Sequence, residues 1–427
     1  MARAKKGTAL TPEERLQAAL VPDWEWPYKL PENWCWVKLV ESFDNHTDSK
    51  KKIKQKDYLM KGKLAVVDQG QELIGGYTND VEKSYSGALP IVIFGDHTRC
   101  IKFVDFPFAQ GADGVKVLRP KPFYLPKAFY YALQSVNIPN LGYRRHFPLF
   151  NKFSIPLPPF AEQQRIVDRI ESLFAKLDEA KEKAQAVVDS FETRKAAILH
   201  KAFTGELTAK WREEHGVSID NWKTTRFDSV AAIRSNLVDP AEYQSFPHIA
   251  PDNIEKKTGV LLEYHTIAED GVTSGKHRFY SGQILYSKIR PYLSKAVVVD
   301  FDGLCSADMY PIEAYQNARC LWYYMLSDEF LLQASTAGSR SVLPKINQKE
   351  LSALTVHLPM NDREQEEIAR IIDELFDKEQ QTKEAAEAVL DQIDLMKKSI
   401  LARAFRGELG TNDPSEESAV ELLKQII

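Results

Sequence analysis

The chain has 427 residues, 44% hydrophobic and 27% charged, with a formal net charge of −4; this is an ordinary soluble composition, too long for one core and suited to two or three domains. No apolar run approaches the ~20 residues that span a bilayer, and no apolar stretch of the secretory type follows the basic start Met1-Ala2-Arg3-Ala4-Lys5-Lys6. The scattered Cys35, Cys100, Cys305 and Cys320 include no C-x-x-C pair, which argues against a zinc site or a disulfide framework and for the cytoplasm.

In chain order, residues 1–29 read as an N-terminal arm and 30–158 as a first domain opened by Pro31-Glu32-Asn33-Trp34. That domain carries 18 Lys+Arg against 12 Asp+Glu, a balance of +6 inside an acidic chain, and such a basic face steers binding to phosphates. Short strands are predicted over Lys63–Asp68, Pro90–Phe94, Ile101–Val104 and Gly114–Leu118, separated by Gly, Asp and Asn. Phe129-Tyr130-Tyr131-Ala132-Leu133 reads as a short buried helix, and Phe153–Pro159 as an apolar stretch running into a proline turn. A first long helix is expected in 159–212. A second domain, 213–360, opens with Ile219-Asp220-Asn221-Trp222, has strands over Gln283–Lys288 and Lys295–Val299 and a buried helix at Leu321–Leu326, and closes at Leu354–Pro359. A second long helix fills 361–410, with 8 basic and 13 acidic residues, and 411–427 is an acidic tail.

The two long helices are copies. Glu162-Gln163-Gln164-Arg165-Ile166 matches Glu364-Gln365-Glu366-Glu367-Ile368, and Lys195 to Leu207 matches Lys397 to Leu409, at a constant offset of 202 residues. An ungapped match of that length is what a continuous helix requires, since one insertion turns the apolar stripe by ~100°. The stripe runs through Ile166, Ile170, Leu173, Leu177, Ala180, Ala184, Val187, Phe191 and Ile198 in one copy, at alternating steps of four and three, and Ile368, Ile372, Leu375, Ala386, Val389, Ile393, Met396 and Ile400 keep the same register in the other. Arg194 interrupts the first, Glu379 and Thr382 the second. At ~1.5 Å per residue each helix would reach ~60 Å, ending at the C-cap glycines Gly205 and Gly407. The expected fold class is α+β: two mixed globular domains joined by two long helices that form a coiled coil, with an internal pseudo-twofold repeat.

Pro156-Leu157-Pro158-Pro159-Phe160-Ala161-Glu162-Gln163-Gln164-Arg165-Ile166, leading to Lys201-Ala202-Phe203-Thr204-Gly205-Glu206-Leu207, resembles the junction in specificity subunits of type I restriction–modification systems. The second junction repeats it, and Tyr280–Pro291 and Phe94–Arg99 resemble recognition-domain segments of the same family. The resemblance covers about residues 30 to 410. It implies a non-catalytic subunit that binds a two-part asymmetric DNA site, one half per target recognition domain, with an antiparallel helix pair setting the spacer. It further implies two methyltransferase subunits that hold S-adenosylmethionine and modify adenines, and two restriction/translocase subunits that use ATP and Mg, in host defence. The chain itself is expected to bind no cofactor and no metal. The alternative is a coiled-coil adaptor that binds protein only.

The residues show no phosphate loop, no dinucleotide fingerprint and no Asn-Pro-Pro-Tyr-like methyltransferase motif. Gly271-Val272-Thr273-Ser274-Gly275-Lys276 is too short for a phosphate loop, Pro251-Asp252 with Glu255-Lys256-Lys257 imitates a nuclease pattern at unsuitable spacing, and Asp96-His97 stands without a second ligand cluster. Base reading needs donors and acceptors that reach base edges. The candidates are Gln69, His97, Arg99, Arg144, Arg145 and His146 in the first domain, the last three from the turn Asn140–His146, and Arg278, Lys288, Arg290, Arg340 and Lys345 in the second. Lys50–Lys56 reads as a mobile loop offering phosphate affinity.

Overall fold

In the computed structural model, which describes residues 11–112, 114–337 and 344–426, the chain divides into two units, Met1–Lys183 with Val389–Ile427 and Ala184–Ala388. The division falls inside both long helices, so each unit holds one recognition domain with the start of its own helix and the end of the other.

In the first unit, strands Phe43–Asn45, Val115–Pro120, Ile91–Gly95 and Ile101–Val104 lie in that order in one antiparallel sheet. The apolar run Ile91-Val92-Ile93-Phe94 is its central strand and is buried throughout. Val92 and Phe94 pack with Phe129, Ala132, Phe150 and Ile166 on the helical side. Ile91 and Ile93 pack with Val67 and Phe108 on the other. That second layer is the sheet of Gly76–Thr78, Leu64–Val67 and Phe108–Gln110, whose last two strands run parallel. A strand covered on both faces needs apolar residues at every position.

The second unit repeats this plan without the sequence. Ala231–Ile233, Met309–Ala314, Ile284–Ser287 and Ala296–Val298 form the equivalent four-stranded sheet in the equivalent order. Ile284 and Tyr286 face the helices and Leu285 the second layer. In that layer Pro247–Ile249 pairs parallel with Gly303–Cys305 and antiparallel with His265–Thr266, and two further strands, Lys276–Phe279 and Leu237–Val238, extend it. Each domain is closed by a ribbon absent from the sequence reading: Cys35–Lys38 with Ser154–Leu157, and Trp222–Arg226 with Thr355–Pro359. Pro156 and Pro359 read as turns in sequence yet sit inside two-stranded ribbons, where each strand has an edge that needs no donor.

The first long helix spans Phe160–Asp189 and Phe191–Phe203, and the second spans Asp362–Ala404. The expected continuity of the first copy is interrupted at Ser190. Its hydroxyl donates to Ala186 O at 2.6 Å, a back-bond that bends helices, while Ser190 N→Ala186 O and Arg194 N→Ser190 O carry the ladder across.

Within each unit the two helices run antiparallel. In the first, Asp178 meets Lys397 and Lys181 meets Asp394, and Ile166 and Ile170 share a core with Leu401, Ala404 and Phe405. In the second, Lys383 lies 4.8 Å over the Phe191 ring and Lys195 4.6 Å over Phe376, and Ile368 and Ile372 pack with Leu199 and Phe203. Ile393 is buried, Leu173, Ile198, Leu375 and Ile400 are half-buried, and Val389 and Met396 are exposed. The stripe therefore serves chiefly to seat each helix end on a recognition domain. Two of its three polar interruptions meet: Arg194 Nε donates to Glu379 Oε2 at 2.6 Å, a polar contact of the kind that specifies register in a helix pair.

The described residues of arm and tail are built into the first unit. Helix Pro12–Ala19 has a full capping box, with Thr11 Oγ1 accepting from Glu14 N and Glu14 Oε2 accepting from Thr11 N. Helix Ala419–Ile426 buries Ala419 and Leu423 in the same core as Val21 and Leu30. Arg165 holds the tail by paired bonds to Glu416, both 2.8 Å.

Candidate nucleic-acid interface

In the first domain the site grows from a stacked aromatic core. Phe94 and Phe150 have centroids 4.3 Å apart, with Phe147 beside Phe150. Just beyond Phe94, the turn Gly95–Cys100 links the central strand to the edge strand Ile101–Val104. Asp96, 2% exposed, ties it down: Oδ1 accepts from Phe147 N at 2.7 Å and its carbonyl accepts from His146 N at 2.8 Å. His97 N donates to Gln69 Oε1 at 3.1 Å, and His97 Nδ1 donates to Tyr143 O at 3.2 Å. Gln69, His97 and the turn carrying Tyr143, Arg144 and Arg145 are thus gathered at one end of the domain. Arg144 and Arg145 are exposed, and neither side chain has a partner among the described residues.

Two candidates leave this group. His146 is fully buried, with Nδ1 donating to Asp96 O at 2.9 Å and Nε2 accepting from Leu141 N at 3.0 Å; both nitrogens are spent on holding the turn, so it cannot reach a base edge. Arg99 adopts φ 62° and donates through Nη1 to Ile138 O at 2.8 Å, which commits its guanidinium to the chain beyond helix Pro126–Ser135. The lysine loop also differs from expectation. Ile53 is buried and donates to Gln110 O at 2.9 Å, Lys51 Nζ donates to Ser84 O at 2.9 Å, and Lys83 Nζ to Lys50 O at 2.7 Å. The loop is anchored, with Lys54 and Lys56 left exposed.

The second domain uses the same places in its topology. Residues Lys288–Arg290 follow the central strand, as Gly95–Arg99 do in the first, and run beside the segment before the closing strand. Ile346 N donates to Lys288 O at 2.9 Å and Arg290 N to Pro344 O at 2.7 Å. Lys345 Nζ donates to Asp308 Oδ1 at 3.2 Å, and Lys288 Nζ lies 3.7 Å from the same oxygen, so one carboxylate offsets two ammonium groups. Arg290 is exposed at φ 49°, its side chain unpartnered among the described residues. Burial, and then the Lys288 charge, hold His277 below the ordinary imidazole range. Arg278 belongs to the other sheet, its guanidinium over Tyr280, Tyr243 and Phe246 at 4.8, 5.4 and 5.9 Å. Arg340 lies outside the described residues.

The nuclease-like Asp252 is fully exposed and 3.7 Å from Lys295 Nζ. Among the described residues no cluster of three His, Cys, Asp or Glu is placed to hold a metal, and no helix is long and apolar enough to cross a membrane.

Sequence reasoning saw the repeated Glu-Gln pair and assigned it no role. Glu162, buried, accepts from Trp34 Nε1 at 2.7 Å, Thr411 Oγ1 at 3.1 Å and Asn412 Nδ2 at 2.8 Å. Its counterpart Glu364 accepts from Trp222 Nε1 at 3.0 Å, Thr208 Oγ1 at 2.8 Å and Arg212 Nη1 at 2.7 Å. In each unit one carboxylate fastens the opening of the domain, the start of its helix and the segment after the other helix. Gln163 and Gln365 do the same for the chain before the buried helix, accepting from Leu125 N and Asn317 N and donating to Pro158 O and Pro359 O. The signal was the matched Glu-Gln pair and the Asn-Trp that opens each domain; only the fold shows that Trp and Glu meet.

A family model described as the type I restriction modification DNA specificity domain matches this chain twice, over residues 31–188 and 219–390. The specificity subunit of the type I restriction enzyme EcoDI of Escherichia coli is 38% identical over 343 residues, 72% of this chain and 77% of that protein. The EcoKI specificity subunit of Escherichia coli K12 is 25% identical over 65% of this chain and 64% of its own length. Among solved structures, the HsdS subunit of Thermoanaerobacter tengcongensis aligns over 90% of this chain and all of its own, with TM-score 0.55 and 18% identity. A chain from a structure described as the basis of complex assembly and conformational transition of the type I restriction–modification system aligns over the same shares, with TM-score 0.62 and 18% identity. The chain therefore belongs to the DNA specificity subunits of type I restriction–modification systems, the non-catalytic, DNA-binding component of those enzymes.

Proposed function

We propose that this chain reads a two-part asymmetric DNA site in the cytoplasm, one half with each recognition domain. The observation that carries this reading is the recurrence of one surface in two diverged sequences. In each domain the turn after the central strand lies against the segment before the closing strand, and in each that place displays unpaired arginine: Arg144 and Arg145 in the first, Arg290 in the second. Gln69 and His97 complete the first reading surface and Lys288 and Lys345 the second; Arg278, on the other sheet, and Arg340, outside the described residues, are further candidates of that domain. Arginine is the side chain best suited to bidentate contact with guanine and to phosphate. Two methyltransferase subunits, carrying S-adenosylmethionine, would supply adenine methylation, and two restriction/translocase subunits ATP- and Mg-dependent cleavage, with this chain as their scaffold and its helix pair as the spacer.

Arg145→Ala and Arg290→Ala are each expected to weaken binding of the cognate duplex by about 1–3 kcal/mol without loss of folding, measured by fluorescence anisotropy at several salt concentrations. Lys345→Ala should cost less, because Asp308 already offsets its charge. Unchanged affinity of both arginine variants at every salt concentration would remove them from the interface.

A further inference from the structure

Tyr143 is 98% exposed. Among the described residues its ring stacks on no other aromatic group and its hydroxyl has no partner. A large apolar ring held in water has no folding role, and one in isolation needs no explanation. The setting of this ring does need one. The turn beneath it is held at several points: Asn140 Oδ1 accepts from Gly142 N at 3.0 Å, His146 bonds Leu141 N and Asp96 O from inside, His97 holds Tyr143's own carbonyl, and Phe147 joins the stacked core. Gly142 takes φ 65° with open space around it, which lifts the next side chain away from the domain. Arg144 and Arg145, both unpaired, follow immediately.

An aromatic ring on a preorganised tip, next to two free guanidinium groups, fits a nucleic-acid surface better than a protein one. The cations suit phosphates and base edges, and the ring has a π-face to offer a base at little entropic cost. We infer that Tyr143 is a stacking wedge, entering a base step of the half-site read by the first domain while Arg144 holds the flanking backbone and Arg145 keeps its base-reading role. This rests on the DNA-reading proposal above and adds that the first domain deforms its half-site by unstacking a step, so that base identity there is read partly through how easily the step opens.

The test uses the full chain with its methyltransferase subunit and duplexes of the mapped site carrying 2-aminopurine at successive positions of the first half-site. Wild type and Tyr143→Phe are expected to raise the fluorescence at one step. Tyr143→Ala should lose that rise and bind about 5- to 150-fold more weakly, with the slope of log affinity against log salt unchanged. Arg144→Ala should reduce that slope by about one. Tyr143→Ala that binds and brightens like wild type would overturn the wedge while leaving DNA reading intact. A wild-type complex that shows no preference for the mapped duplex would overturn both. Because the ring touches nothing in the fold, loss of folding does not enter the comparison.

Discussion

Glu364→Ala is expected to destabilise the second unit by roughly 3–5 kcal/mol, lowering its melting temperature by about 6–20 °C for a domain of this size. Glu364 is 0% exposed and Arg212 9%, and the ion pair between them is 2.7 Å long. Removing the carboxylate leaves a buried guanidinium with only Thr208 Oγ1 and Gly205 O as acceptors, and also orphans the Trp222 indole N–H. The cost is that of the stranded cation more than the worth of the pair. The double variant Glu364→Leu with Arg212→Met, which removes both charges, should therefore recover much of the loss. Calorimetry of the three proteins decides it: a single variant within about 1 kcal/mol of wild type is incompatible with this carboxylate anchoring the domain.

Gly407→Ala is expected to cost the first unit about 2–4 kcal/mol, combining a left-handed backbone penalty with an overpacked contact. Gly407 has φ 75° and ends the second long helix, with Glu408 N donating back to Arg403 O at 2.9 Å. A Cβ there would fall 2.4 Å from Pro31 Cγ, part of a ring with nowhere to turn. Gly205 is its repeat partner, at φ 79°, but its nearest neighbour is Ile219 Cδ1 at 2.9 Å, the end of a flexible and half-exposed side chain. Gly205→Ala should keep the backbone penalty and escape most of the clash. Chemical denaturation of the two variants should rank Gly407→Ala as the more damaging; the reverse order would show that the Pro31 contact yields.

The long helices were legible because an ungapped repeat leaves little freedom: any insertion would have turned the stripe off the core. The central strands were legible because a run such as Ile91–Phe94 is apolar on both faces, and Ile101–Val104 was read with its bounds. The closing ribbons were not, since their partners lie over a hundred residues apart and proline in the second strand mimics a turn. Arm and tail were opaque for the same reason; Asn33 Nδ2 donating to Asp413 O joins residues 380 positions apart. Arg194 and Glu379 looked like two separate flaws in two stripes, and only pairing turned them into one contact. Among the candidate DNA-reading residues, residue type alone could not separate Arg145, which is free among the described residues, from Arg99 and His146, which the fold consumes. Hydrogen-bonding capacity marks both users of DNA and users of backbone, and the difference lies in burial.

The central claim is that two separate domains read two separate half-sites. Its most direct test is genome-wide mapping of N6-methyladenine in a host free of adenine methylation that expresses this chain with its methyltransferase subunit. The expected result is one two-part motif with a fixed gap, present only with this chain, whose first half degenerates in Arg145→Ala and whose second half degenerates in Arg290→Ala. A single contiguous motif, or one that both substitutions relax in the same half, would contradict it.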